Sequence, residues 1–126
     1  MNQRTTLIAG VVLSGLAVAL GAFGAHALEA MLTARGRTDT WDLAVQYQII
    51  HGLALLITAL LLPQDPKRLK ITSSLFLSGV ICFSGSLYVL CLSEIIFPLV
   101  LITPLGGLLL IGGWSFMLIS IMKNYK

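Results

Sequence analysis

Apolar residues fall into four long blocks that are separated by short polar stretches. The blocks run roughly over residues 5–28, 42–62, 71–92 and 97–122. Each block is close to the ~20 residues that an α-helix needs to cross ~30 Å of hydrocarbon. The pattern therefore predicts an all-α fold, an integral membrane bundle of four transmembrane helices that forms a single domain over residues 1–126.

Composition agrees with this interpretation, because 57% of the residues are hydrophobic and 10% are charged, far from the balance of a soluble domain.

The first block contains a possible signal-peptidase site at Ala25-His26-Ala27. However, residues 7–25 form an apolar run of 19 residues without a charge, and the core of a signal peptide has about 7 to 15. We therefore expect this segment to be retained as a helix.

The distribution of Lys and Arg predicts the orientation of the bundle. The cations that flank one side of a four-span protein are Arg4, Lys67, Arg68, Lys70, Lys123 and Lys126. Arg35 and Arg37 lie on the other side, where nearby acidic residues dilute them. The positive-inside rule then places both termini in the cytoplasm, with the protein in the cell inner (plasma) membrane. The net charge of +3 needs no nucleic-acid partner, since these cations meet lipid headgroups.

Small residues form a stripe along the first helix. Within an arc of about 100° lie Gly10, Ser14, Ala17, Gly21, Gly24 and Ala25. In a bilayer, helices associate through close backbone approach at such stripes. The stripe is therefore predicted to pack against another helix, and Gly85, Gly106 and Gly107 are predicted to do the same in the third and fourth helices. A backbone-lined groove for a ligand is the alternative.

The second helix has a polar face centred on His51, with Tyr47 and Gln48 beside it and aliphatic residues opposite. His51 lies ten residues beyond Trp41, which is roughly 15 Å along the helix and close to the middle of the bilayer. An ionisable side chain at this depth is costly unless it has partners. We expect a neutral imidazole, in which one nitrogen donates and the other accepts a hydrogen bond.

Polar residues of all four spans gather in the half that is predicted to face outward. This candidate cluster consists of His26, Tyr47, Gln48, His51, Ser84, Ser86, Tyr88 and Thr103. Two hypotheses remain open for it. The side chains either hydrogen-bond to each other and hold the bundle together, or they line a cavity that is open to the outside or to the outer leaflet.

Metal and catalytic chemistry find little support in the sequence. Cys82 and Cys91 belong to no CxxC pair and the chain has no HxxxH spacing, so neither a metal site nor a cofactor is expected. Ser84 or Ser86 with His51 could form a nucleophile and base. The chain nevertheless lacks a GxSxG motif and an acidic orienting residue within the spans, so an intramembrane enzyme is disfavoured.

Several motifs occur in an order that resembles a known family. They are ALGAFGAHAL (19–28), Trp41 followed by YQIIH (47–51) and LALL, FSGSLY (83–88), and TPLGG (103–107) followed by GGW. Together they resemble the YgdD-like family of small bacterial inner-membrane proteins, over all four spans. The resemblance implies a four-helix integral membrane protein and carries no established activity, substrate or catalytic residue.

Two functional classes follow from these observations. The leading hypothesis is a non-enzymatic protein whose polar cluster binds a membrane lipid or another amphiphile, or which is an accessory subunit of a larger membrane complex. Membrane lipids are then the expected partners, together with a homo-oligomer or a larger complex. The alternative is a small proton-linked transporter, with His51 as the titrating group and Tyr47 or Gln48 as its relay.

Overall fold

The computed structural model describes residues 1–124, in which helices joined by short turns are the regular secondary structure and no strand occurs. Its five helices are α1 (Gln3–Ala25), α2 (Glu29–Ala34), α3 (Thr38–Leu61), α4 (Pro66–Leu92) and α5 (Leu99–Asn124). All except the short α2 are long and apolar enough to cross a membrane by length and composition. The predicted fold class, an all-α bundle with four membrane-spanning helices, is therefore confirmed.

The helix boundaries differ by a few residues from those predicted by hydropathy, most clearly at two places. The polar stretch between the first two apolar blocks contains α2, and Gly36 then turns the chain with a φ of 62°. α4 begins at Pro66 instead of residue 71. Asp65 caps this helix by accepting a hydrogen bond from the Arg68 N–H, and proline is favoured in the first turn. The Asp65 cap and the following proline thus extend α4 beyond its apolar block.

The helices pack in a row in which α3 and α4 form the centre. The extensive contacts are those of α1 with α3, α3 with α4 and α4 with α5. Both ends of the described chain lie on one side, which we call the terminal end: the Met1 amino group is 3.3 Å from the Lys70 carbonyl oxygen, and the Asn124 amide is 3.3 Å from the Asp65 carboxylate. The opposite side, with α2 and the α4–α5 turn, is the loop end.

Glycines allow close approach of the backbones at two interfaces. Between α1 and α3, a Cβ atom added at Gly10 would lie 2.6 Å from the Leu56 side chain and 2.9 Å from the Gly52 carbonyl oxygen. Between α4 and α5, a Cβ atom added at Gly106 would lie 2.5 Å from the Phe83 backbone nitrogen. Contacts of this kind are how membrane helices associate without a hydrophobic driving force.

The other residues of the predicted packing set lie in varied surroundings. Ala17 and Gly24 are buried, and Gly24 lies directly against the Trp41 indole. Ser14 and Gly21 are half-buried, whereas Ala25 is exposed at the end of α1.

Gly85 and Gly107, for which the sequence predicts a packing role, differ from Gly106 in their surroundings. A Cβ atom added at Gly85 meets nothing within 4 Å, and one added at Gly107 meets only the Phe83 ring, at 3.9 Å. Tight glycines that the predicted packing set does not include are Gly79 and Gly113, which contact Leu110 and Phe76. Helical spacing identifies a small-residue face but not the neighbour that fills it.

A buried carboxylate joins α4 and α5 at the terminal end. Asp65 accepts hydrogen bonds from Arg68 Nη1 at 3.0 Å, Ser120 Oγ at 3.0 Å and Asn124 Nδ2 at 3.3 Å. The Arg68 guanidinium, through its hydrogen bond, holds the pKa of Asp65 below its ordinary value of 3.8. This junction fixes the terminal end of the α4–α5 pair.

Candidate binding groove around His51

His51 lies near the middle of α3, where both of its ring nitrogens have protein partners. Nδ1 is 2.8 Å from the Tyr47 carbonyl oxygen, and the Trp114 indole donates to Nε2 at 3.1 Å. An indole N–H can only donate, so Nε2 must accept, and the proton is assigned to Nδ1, which donates to Tyr47. The geometry thus describes a neutral imidazole that links α3 to α5.

Aromatic rings surround this histidine. Tyr47 stacks on His51 with ring centroids 5.8 Å apart, and Phe76 and Trp114 lie at 5.5 and 6.0 Å. Phe83 stacks in turn on Tyr47 at 4.4 Å. Because three helices contribute these rings, the imidazole is only 4% exposed. His51 is therefore a fixed part of an aromatic cluster.

Beside this cluster, a groove of about 460 Å³ runs between α3 and α5. Its size falls within the roughly 300–1,000 Å³ of small-molecule pockets. The residues that line it are Gln46, Tyr47, Ile50, His51, Phe83, Gly107, Leu110, Ile111 and Trp114.

The groove has a buried floor and an exposed rim. His51 and Leu110 are buried, whereas Ile50, Ile111 and Trp114 are exposed on the outer surface of the bundle. Gly107 forms part of the α5 wall, where the absence of a side chain leaves space in front of the Phe83 ring. The groove consequently opens sideways, toward the region that lipid acyl chains occupy if the four helices span a bilayer.

On the side of α3 that faces α1, polar groups are used for hydrogen bonding between helices. Gln48 donates from Nε2 to the Leu13 carbonyl oxygen at 2.9 Å, and its Oε1 accepts from the Tyr88 hydroxyl at 2.8 Å. The Trp41 indole donates to the Leu20 carbonyl oxygen at 2.9 Å. Gln48 thereby joins α1, α3 and α4. For this part of the predicted cluster, the geometry favours the hydrogen-bonding hypothesis.

The remaining members of the predicted cluster lie elsewhere. The hydroxyls of Ser86 and Thr103 are 2.6 Å apart and connect α4 to α5. Ser84 is 1% exposed, and its hydroxyl has no hydrogen-bond partner among residues 1–124. It lines a smaller groove of about 260 Å³ between α1 and α4. His26 is exposed beyond the end of α1, apart from the other polar groups.

The arrangement offers no assembled set of catalytic groups in the described chain. Both His51 nitrogens are engaged by Tyr47 and Trp114, and Ser86 is bonded to Thr103. Among residues 1–124, no three His, Cys, Asp or Glu side chains come together in a way that could hold a metal ion. What the site provides is an apolar, aromatic surface with few polar groups, which is suited to binding.

Tyr47 and His51 belong to the predicted polar cluster, but their aromatic partners do not. Trp114 lies 63 positions beyond His51, and Phe76 and Phe83 lie on α4, also far from His51 in the sequence. The indication available in the sequence is the GGW motif at 112–114: Gly113 leaves room for the Phe76 ring, on which the Trp114 ring packs at 5.1 Å.

Four long apolar helices, joined by hydrogen bonds between their few polar side chains, define a small polytopic membrane protein. The model of one protein family, described as "Protein of unknown function (DUF423)", matches residues 20–107. The chain belongs to this family.

Relatives cover nearly the whole chain. The UPF0382 membrane protein SH2409 of Staphylococcus haemolyticus is 41% identical over 96% of this chain and 98% of its own length. A UPF0382 membrane protein of Haemophilus influenzae is 43% identical over 90% and 88%. The UPF0382 inner membrane protein YgdD of Escherichia coli is 36% identical over 98% and 93%. These matches confirm the YgdD-like resemblance, and no solved structure matches the chain.

Proposed function

We propose that this membrane protein binds an acyl chain or a similar amphiphile in the groove around His51 and does not catalyse a reaction. The observation that carries the proposal is the groove itself, which combines an aromatic wall, a buried floor and a rim on the outer surface. The engaged nitrogens of His51 support a passive role, because the imidazole has no free lone pair for a base.

Affinity in such a groove has a particular physical origin. An acyl chain that moves from lipid into the groove gains no hydrophobic free energy, since both surroundings are apolar. Binding must therefore come from close packing against the Tyr47, Phe83 and Trp114 rings. The exposed amide of Gln46 on the rim is available to a polar group of the ligand. The proposal thus predicts selectivity by shape.

Photocrosslinking tests the groove directly. Full-length protein in detergent is irradiated with a phospholipid that carries a diazirine on its acyl chain, and the labelled residues are mapped by mass spectrometry. We expect labelling at Tyr47, Ile111 and Trp114, and loss of that labelling in Gly107→Leu, which fills the groove. Gly85→Leu is the matched control, because it adds the same side chain to the smaller groove on the other side. Equal labelling in both variants would contradict the proposal.

The transporter hypothesis makes a different prediction for His51. A carrier needs this imidazole to bind and release a proton, whereas the present geometry uses both nitrogens in structural bonds. In proteoliposomes, we expect no proton flux above that of empty vesicles. A flux that is abolished by His51→Gln would instead establish the transporter function.

We further propose that both termini lie in the cytoplasm and that the protein resides in the inner membrane. Arg4, Lys67, Lys70 and Lys123 lie toward the terminal end, which supports a cytoplasmic location for that end by the positive-inside rule. Lys126 lies outside the described residues. Fusions of alkaline phosphatase and of a fluorescent protein to the C-terminus test this orientation: we expect fluorescence without phosphatase activity, and the reverse result would contradict it.

An accessory role in a larger membrane complex, or a homo-oligomer, is compatible with the same groove. In either case a partner helix, in place of a lipid, would cover its rim. Crosslinking in intact membranes distinguishes these occupants by the mass of the product. We expect lipid adducts to dominate at Trp114, and protein adducts at that position would favour the partner.

A further inference from the structure

A cleft with uncompensated positive charge lies at the loop end, between the α2–α3 connection and the end of α4. Its volume is about 230 Å³, and its lining consists of Arg35, Arg37, Leu90, Ser93, Glu94 and Ile96. Two guanidinium groups face one carboxylate there, so that one positive charge is left without a counterion within the cleft. Nothing in the proposed groove uses this charge.

The two arginines have different surroundings. Arg35 already has partners within the chain, because Nη1 lies 3.4 Å from the Cys91 carbonyl oxygen and Nη2 lies 3.6 Å from the Glu94 carboxylate. The Arg37 side chain makes no hydrogen bond or ion pair within residues 1–124. The free guanidinium of Arg37 is therefore available to a ligand anion, and Arg35 adds a second positive charge beside it.

The cleft lies on the same side of α4 as the groove around His51. Leu90 lines the cleft and Phe83 lines the groove. These residues are seven positions apart, which is two helical turns, so their side chains point in the same direction about 10 Å apart along the axis. A polar site near the end of the helices and an apolar site deeper along the same face match the layout of a phospholipid.

We propose that the cleft binds the phosphodiester group of a phospholipid whose acyl chain occupies the groove. The inference rests on the proposed function for the acyl chain and adds the headgroup chemistry. A guanidinium presents several N–H donors in a plane and is suited to the oxygens of a phosphate. Glu94 pairs with Arg35 and so limits the charge of the cleft, which leaves Arg37 as the principal phosphate ligand.

Two lipids with identical chains separate the headgroup from the chain. Retention of radiolabelled dioleoylphosphatidylglycerol and of dioleoylglycerol is measured on immobilised full-length protein in detergent. We expect Arg37→Gln to lower retention of the phospholipid about fivefold and to leave dioleoylglycerol unchanged. Glu94→Gln should raise phospholipid retention about twofold, because it makes the cleft more positive. Arg4→Gln, which removes an exposed cation at the terminal end, is the control and should have no effect.

Each alternative gives a distinct result. Equal effects of Arg37→Gln and Arg4→Gln, or a loss of both lipids in Arg37→Gln, would overturn the headgroup site. Displacement of the phospholipid by soluble glycerophosphoglycerol at equal concentration would overturn the assignment to a lipid and indicate a free phosphodiester. Failure of the groove shows separately, as retention of dioleoylglycerol that Gly107→Leu does not reduce.

Discussion

Polar residues on the two sides of α3 lie in different surroundings, a closely packed interface toward α1 and an open groove toward α5. Toward α1, Gln48 and Gly52 face a closely packed interface in which the amide bonds to two other helices. Toward α5, Tyr47 and His51 lie at a groove with an exposed rim. The members of each pair are four residues apart, and the pairs are offset by one residue or about 100°. A shift of one position along α3 therefore separates residues of a structural network from residues of a candidate binding surface.

The difference lies in the residues that face α3. α1 presents small residues, so its backbone comes close enough for the Leu13 carbonyl to reach Gln48. α5 presents Trp114 and Gly107 to the opposite side. The bulky Trp114 ring holds the helices apart, and the missing side chain at Gly107 leaves open space two turns away. Glycine thus has two roles in this bundle, close contact and open volume.

The largest expected effect comes from the same substitution made on each side. Gly10→Leu places its Cβ atom against Leu56 and the Gly52 backbone, so we expect a loss of about 3 kcal/mol in the free energy of unfolding. Gly107→Leu should change that free energy little, because its Cβ atom meets the Phe83 ring at an ordinary 3.9 Å. Unfolding in detergent, with Gly15→Leu as a lipid-facing control, measures both, and equal losses would remove the distinction between the sides.

The hydrogen-bond network on the α1 side provides a second comparison. Gln48→Leu removes two bonds between helices and leaves the Tyr88 hydroxyl without its acceptor. We expect a loss of about 1–3 kcal/mol. Adding Tyr88→Phe should recover part of this loss, because the unpaired hydroxyl is then gone. A double-mutant cycle measures the coupling, and strict additivity would argue against the network.

On the groove side, His51 makes one bond between helices instead of two. His51→Phe should therefore cost less than Gln48→Leu, about 1 kcal/mol, mainly because the Trp114 N–H loses its acceptor. Unfolding in detergent measures this free-energy cost. The shift in Trp114 fluorescence, measured in a Trp41→Phe background that leaves one tryptophan, reports whether the indole N–H has lost its acceptor. A cost larger than that of Gln48→Leu would show that the groove side contributes most of the polar stabilisation.

The smallest effect concerns the Asp65 junction between α4 and α5 at the terminal end. The pKa of Asp65 is lowered in the folded protein, mainly by its hydrogen bond to Arg68. Its contribution to stability is therefore complete well above 3.8, the ordinary value, and is lost as the pH falls through the lower folded pKa. Thermal unfolding between about pH 6 and about pH 3 should show an acid-dependent loss that is reduced in Asp65→Asn. Identical acid profiles would contradict this role.

The sequence predicted the helices well because hydropathy and length decide what crosses a membrane. Helical periodicity likewise placed Tyr47, Gln48 and His51 on one face. It could not divide that face between two neighbours, since the division depends on which helix packs on each side. Trp114 could not be predicted as a partner of His51 either, since that contact depends on how α5 packs. The role of Asp65 could not be predicted because its partners Ser120 and Asn124 are far away in the chain.

A structure of the protein in lipid nanodiscs tests the central claim most directly. We predict elongated density that is not protein between α3 and α5, in contact with Tyr47, Gly107 and Trp114. The smaller groove beside Ser84 serves as an internal comparison in the same map. A groove that is closed by its own side chains, or covered by a second protein helix in every particle class, would contradict the account.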